Sequence, residues 1–269
     1  MTSYDTFASV LASKEGHVLT VSLNRPAQRN AINAEVHESL RQILALAAAD
    51  DEVRVIVLRG EGKAFCAGGD VNTMEGAGDG PGPSPALTVR STLDAARMLD
   101  MLLAVPQPIV CAVHGFAMGL GATIALLCDV VVMAEDAQIA DTHVNIGLVA
   151  GDGGAVLWPL LAPLGAVKWS LLTGERISGV EAARLGLALK AVPAAELDAE
   201  AQALAGRLAQ LAPLAVRGTK ETLNRIIRDR INLVLDTGLL LEGATFVSED
   251  HREAVSAFMA KRPATFVGR

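Results

Sequence analysis

The 269-residue sequence lacks a basic excess: 23 Lys and Arg stand against 30 Asp and Glu, a formal net charge of −7. Nucleic acid and anionic membranes both need clustered cations, so neither is expected as the main partner. Any anionic ligand must then be held locally, by backbone N–H groups and a few placed cations. Cysteine is scarce as well. Cys66, Cys111 and Cys128 are an odd number without metal-ligand spacing, which predicts reduced thiols in a cytoplasmic protein. The start, Met1-Thr2-Ser3-Tyr4-Asp5, has neither the basic nor the apolar region of a secretory signal. A long unbroken apolar run is also missing. The longest candidate, Gly115–Ala134, holds Thr123, Asp129 and three glycines, and its pattern turns β-branched after Asp129. It reads as a buried helix followed by a buried strand in a soluble protein, not as a membrane span. With 51% hydrophobic and 20% charged residues, the chain is neither disordered nor a small stapled scaffold.

What is present is an alternation of strand and helix. Phe7–Ala12 and His17–Leu23 read as strands around a Lys14-Glu15-Gly16 turn. Asn33–Ala49 carries Val36, Leu40, Ile43, Leu44 and Ala47 at helical spacing, and Val53–Leu58 is a buried strand closed by Gly60. This rhythm predicts parallel pairing with right-handed crossovers. Glu75–Pro85, crowded with glycine and proline, reads as a mobile loop of lid type. A helix over Leu87–Leu103 and strands over Pro108–Val113 and Val130–Met133 continue the theme. Beyond about Ala195 only helical patterns follow: Leu197–Leu211, Leu214–Arg228, Ile231–Val247 and Glu249–Met259. The expected organisation is an α/β core over 1–195, holding the active site, and an all-helical region over 196–269. Apolar faces on those helices need a partner surface, either the chain's own core or a neighbouring subunit.

Two glycine turns follow strands: Phe65-Cys66-Ala67-Gly68-Gly69-Asp70, and His114-Gly115-Phe116-Ala117-Met118-Gly119-Leu120-Gly121. Glycine lets the backbone approach a ligand closely, and a helix N-terminus offers unpaired N–H groups. Two such turns can aim one N–H each at a single oxygen, which is an oxyanion hole. Taken singly, each is also an ordinary strand-to-helix connection.

Together with Leu23-Asn24-Arg25-Pro26, Asn30-Ala31-Ile32-Asn33, Ala112-Val113-His114-Gly115, Cys128-Asp129-Val130, Leu172-Thr173-Gly174 and Ala257–Pro263, these motifs resemble the enoyl-CoA hydratase/isomerase (crotonase) superfamily over nearly the whole chain. The resemblance implies a spiral α/β core with a C-terminal helical region that builds trimers, often paired into hexamers. It also implies an acyl-CoA thioester substrate, with CoA entering as part of the substrate and no separate cofactor or metal. The thioester oxygen would be held by the N–H groups matching Ala67 and Leu120. Ala67, Gly68, Gly69 and Asp70 match the stretch lining the CoA channel, and Lys261 lies where the tail can reach a CoA phosphate.

The departures are chemical. The two glutamates of the family's hydratases fall on Thr123 and His143, so a two-glutamate hydration mechanism is not expected. Thr123 is no base near neutral pH and reads as a helix residue bonding the backbone. His143, supported by Asp152 on a nearby Gly-Asp-Gly-Gly turn, is the expected general base. A second resemblance, of Gly147–Pro159 to the superfamily's β-diketone hydrolase branch, matches the same His143 and Asp152 and adds Glu242 as a possible second acid/base. That branch's second histidine falls on Leu120. The expected function is thus an enoyl-CoA hydratase/isomerase-type reaction on an acyl-CoA thioester with a His/Asp pair. Retro-Claisen hydrolysis of a 1,3-diketone, or a non-catalytic acyl-CoA-binding homologue, stand as alternatives. His114 is expected to order its turn and Cys66 to be packing.

Overall fold

The computed structural model describes residue 4 and residues 7–70 and 85–269. The expected lid over 75–85 lies outside the described residues except for Pro85. The main sheet has six strands in the order β1-β2-β3-β4-β6-β9. They are β1 (Val10–Glu15), β2 (Val18–Leu23), β3 (Val55–Gly60), β4 (Ile109–Val113), β6 (Val130–Ala134) and β9 (Lys190–Val192). Among the described residues of this sheet only β1 and β2 pair antiparallel; every other neighbour is parallel, as the strand–helix alternation predicts. The register runs Val21 to Leu58 to Cys111 to Val131. The first strand begins and ends later than expected. Its turn is Gly16-His17, where Gly16 takes φ +55°, while Lys14 and Glu15 stay in the ladder opposite Leu19 and Val18.

A smaller sheet joins β5 (Phe116–Met118), β7 (Gln138–Ala140) and β8 (Ile177–Ser178) in the order β5-β7-β8. Helix α1 (Ala34–Ala49) starts at Asn33, whose side chain caps the Val36 N–H, and its buried residues include the five read from its spacing. Helices α2 (Pro85–Ala104), α3 (Leu120–Leu127), α4 (Gly154–Leu161), α5 (Leu164–Thr173) and α6 (Gly179–Leu185) follow.

Past residue 195 come α7 (Leu197–Ala209), α8 (Pro213–Phe246) and α9 (Glu249–Ala260). Two helices expected at 214–228 and 231–247 are one helix of 34 residues. Asp229 and Arg230 interrupt the apolar pattern but break no backbone, since neither is proline or glycine and a polar pair fits the outer face. Helix α7 packs on β3, β4 and β6, and α8 on α2 and α4. Leu197, Ala201, Ala205 and Leu235 therefore belong to the same core as Leu58, Ile109 and Leu99. Lys220 of α8 bonds the Asp129 carboxylate (2.7 Å) and the Gln107 carbonyl (2.9 Å), fixing the long helix to the strand ends. No single helix among the described residues is long and apolar enough to cross a membrane.

Candidate active site

The first glycine turn is braced from below by the Asn24–Asn33 stretch. Arg25 donates to Asp70 Oδ2 (2.9 Å) and to the Ala31 carbonyl, and buried Asn30 donates to the carbonyls of Glu61 and Ala64. Asp70 is thus a buried anchor of the turn. The segment is bonded on both sides. Cys66 exchanges hydrogen bonds with Phe116 and Met118, while the Gly68 carbonyl accepts from Ile32 N–H and Asp70 N–H donates to Ile32. Gly68 stands at φ +96°, and a Cβ there would sit 2.7 Å from the Met118 carbonyl oxygen, so only glycine fits.

This bonding corrects one expected donor. The Ala67 N–H is spent on the Arg29 carbonyl at 3.0 Å. Because carbonyl and N–H point opposite ways across a trans peptide, the Gly68 carbonyl facing Ile32 turns the Gly69 N–H toward β5 and α3. The Leu120 N–H opens α3 and lies outside the helix ladder, because the preceding Gly119 carbonyl already accepts from Ala122 and Thr123. Neither the Gly69 nor the Leu120 N–H has a partner among the described residues. The turns are neighbours: a Cβ on Gly68 would lie 3.7 Å from Leu120 N. Two donors without a partner among the described residues thus lie on neighbouring turns, and the one on the first turn is Gly69 rather than Ala67.

Beside them sits His143, at the head of a short 3-10 segment, His143–Ile146, and 8% exposed. A Cβ on Gly119 would be 3.6 Å from its Cε1 and 3.9 Å from its Nε2, which places the ring next to the Leu120 donor. His143 and Asp152 do meet, with Nε2 3.3 Å from Asp152 Oδ2. The tighter partner is another residue, Asp141, whose Oδ1 lies 2.6 Å from Nδ1 and also accepts the His143 backbone N–H (3.2 Å). Sequence reasoning gave Asp141 no role; the short Asp-x-His spacing before a turn is the signal that marks it. Burial pushes the ring's pKa down, but the carboxylates of Asp152 and Asp141 outweigh it and hold the imidazole well above its ordinary value. The carboxylates face opposite ring nitrogens, an arrangement suited to a charged ring.

Thr123 differs from its expected role. Its hydroxyl donates to Asp152 Oδ1 at 3.4 Å and not to the backbone. Glu242 arrives from α8, 5% exposed, and its Oε2 is sealed against Gly151 without a hydrogen bond. Burial first, and next the Asp152 carboxylate, push its carboxyl up to about 8, which favours the protonated acid. His114 bonds the Gly62 carbonyl (3.0 Å), and buried Cys66, its thiol pushed up to about 12 by burial, donates to the Asn30 carbonyl. Lys261 caps α9 in the left-handed conformation, exposed, with no ion pair among the described residues.

The enoyl-CoA hydratase/isomerase family model matches residues 13–269. The chain is 33% identical to the 1,2-epoxyphenylacetyl-CoA isomerase of Escherichia coli, over 97% of this chain and 98% of that protein. It is 31% identical to the short-chain-enoyl-CoA hydratase of Clostridium acetobutylicum, over 94% and 95%. A solved enoyl-CoA hydratase/isomerase from Mycobacterium paratuberculosis superposes with a TM-score of 0.85 at 35% identity, covering 94% of this chain and 99% of that one. The chain belongs to the enoyl-CoA hydratase/isomerase family.

Proposed function

We propose that this enzyme moves a proton on the acyl group of a CoA thioester, in an isomerase- or hydratase-type reaction. The observation that carries this reading is that the buried His143–Asp152 pair lies beside the Gly119-Leu120 turn, with the Gly68-Gly69 turn next to it; the Gly69 and Leu120 N–H groups, without partners among the described residues, are the donors in this reading. An oxygen held by both donors is the thioester carbonyl, and its enolate is what such donors stabilise. His143 and Asp152 take the acid–base work that two glutamates perform in the family's hydratases. Thr123 contributes a hydrogen bond to Asp152 and no proton transfer. Glu242, neutral beside the pair, is a second acid. The turn Ala67–Asp70 lines the CoA path, with Lys261 reaching a CoA phosphate, and no cofactor beyond the CoA of the substrate is required.

Relatives named for an isomerase and a hydratase support the acyl-CoA class and leave the direction of reaction to experiment. The exposed apolar side chains of α8, among them Leu223, Ile226, Leu233 and Leu240, support a homotrimer or a hexamer of two trimers. A second reading, retro-Claisen cleavage of a 1,3-diketone, is favoured by one observation: His143, Asp152 and Glu242 form a single buried cluster. Turnover of free diketones without affinity for CoA would put it first.

The test is deuterium wash-in at the carbon next to the thioester carbonyl, followed by NMR across a panel of acyl-CoAs. Exchange is expected for the wild type, and at least about a hundredfold slower exchange for His143→Ala with CoA binding retained. No exchange on any thioester, or equal rates in the variant, would refute the reading.

A further inference from the structure

Asp141 follows directly on β7, and one of its oxygens, Oδ1, accepts from both the backbone N–H and Nδ1 of His143. Its carboxyl has room because position 154 is glycine; a Cβ there would overlap Oδ2. At the other end of the ring stands Asp152, itself held by the Thr123 hydroxyl. Glu242 faces the cluster from α8, its carboxyl pushed up by burial and by the Asp152 carboxylate. Helix α9 packs behind the turn through His251, whose Nδ1 lies 2.6 Å from the Ile146 carbonyl and whose pKa burial lowers. Helix α5 packs there too and adds no charge that acts on the ring.

A neutral imidazole has one donor and one acceptor, so between two carboxylates its lone pair would face an anion. A charged ring donates to both. It then has no lone pair left to take a proton from the substrate, whereas the Asp152 carboxylate does. Given the reading above, that the pair handles the substrate's proton, we infer that Asp141 is a positioning residue that clamps His143 as an imidazolium, leaving Asp152 as the group that carries the proton. The C–H bond next to the thioester carbonyl breaks and its proton goes to Asp152. The electron pair moves to the oxygen held by Gly69 and Leu120, and Asp152 returns the proton to the product carbon.

The experiment is long-range ¹H–¹⁵N NMR of the histidine-labelled full chain, with the His143 signals assigned by difference against His143→Asn. In the wild type at pH 7 both ring nitrogens are expected to be protonated. In Asp141→Asn the ring's midpoint is expected to fall by at least about one unit, the scale of losing an adjacent opposite charge. The pH profile of deuterium exchange gives the sign: with Asp152 as carrier, Asp141→Asn pulls the alkaline limb to lower pH. A neutral His143 ring in the wild type at pH 7 would overturn the inference without any variant. An Asp141→Asn profile in which the acidic limb drops and neutral activity rises would overturn it too, since the ring would then be the base. Absence of exchange with the imidazolium intact would instead count against the thioester reading alone.

Discussion

A trans peptide points its carbonyl and N–H in opposite directions, so the bond from Ile32 N–H to the Gly68 carbonyl turns the Gly69 N–H away from Ile32, toward β5 and α3. The same alternation spends the Ala67 N–H on Arg29. A motif in the sequence locates the turn but does not show which peptide faces which way, because that depends on bonds to the separate segments 29–32 and 116–118. His143 and Glu242 stood out in the sequence as polar residues in apolar runs, and Asp152 through its Gly-Asp-Gly-Gly turn near His143 and through the resemblance. Asp141 was not, because its partner is two residues away and the contact exists only once the 3-10 turn forms. The second donor offers a clean test. Leu120 is the first residue of α3, where proline is tolerated because its missing N–H leaves no ladder bond open. Leu120→Pro is expected to lower turnover by about 10²–10³-fold, the usual effect of deleting one oxyanion donor. Leu120→Ala, which keeps the N–H, is expected to stay within about tenfold. Equal rates for the two variants in steady-state assays would remove Leu120 from the site.

The strands and helices of the core were readable from periodicity, since the parallel strands are almost continuously apolar and α1 repeats its buried face every three or four residues. Their ends were less so: β1 was expected to start at Phe7, and the single long α8 looked like two helices. At this scale the loop between His143 and α4 controls the site. The glycine at position 154 opens α4 and leaves space for the Asp141 carboxyl, while Gly151 lies against Gly238 and Glu242 of α8. Gly154→Ala is expected to displace Asp141, costing about 1–3 kcal/mol of stability, the usual range for overpacking. The midpoint of chemical denaturation measures the cost. An unchanged midpoint together with an unchanged His143 NMR signal would show that the carboxyl does not depend on that space.

Across the whole molecule, buried charge ties stability to pH. The Glu242 carboxyl titrates at about 8 in the folded chain against an ordinary 4.5. Folding therefore holds a proton that the unfolded chain releases, and stability present below the ordinary value is lost as pH rises through about 8. The raised pKa of His143 acts in the same direction. The thermal midpoint is accordingly expected to fall by several degrees between pH 5 and pH 8.5, and Glu242→Gln should flatten part of that slope. A midpoint that holds steady or climbs over this range would mean that Glu242 is not buried as a neutral acid.

In the proposed reaction two backbone donors grip a thioester oxygen. Titration calorimetry with acetoacetyl-CoA, with S-butyl-CoA, which lacks the carbonyl, and with CoA alone measures that grip. The thioester is expected to bind at least about tenfold more tightly than the thioether, roughly 1.4 kcal/mol, and both more tightly than CoA. Equal affinities for thioester and thioether would contradict it.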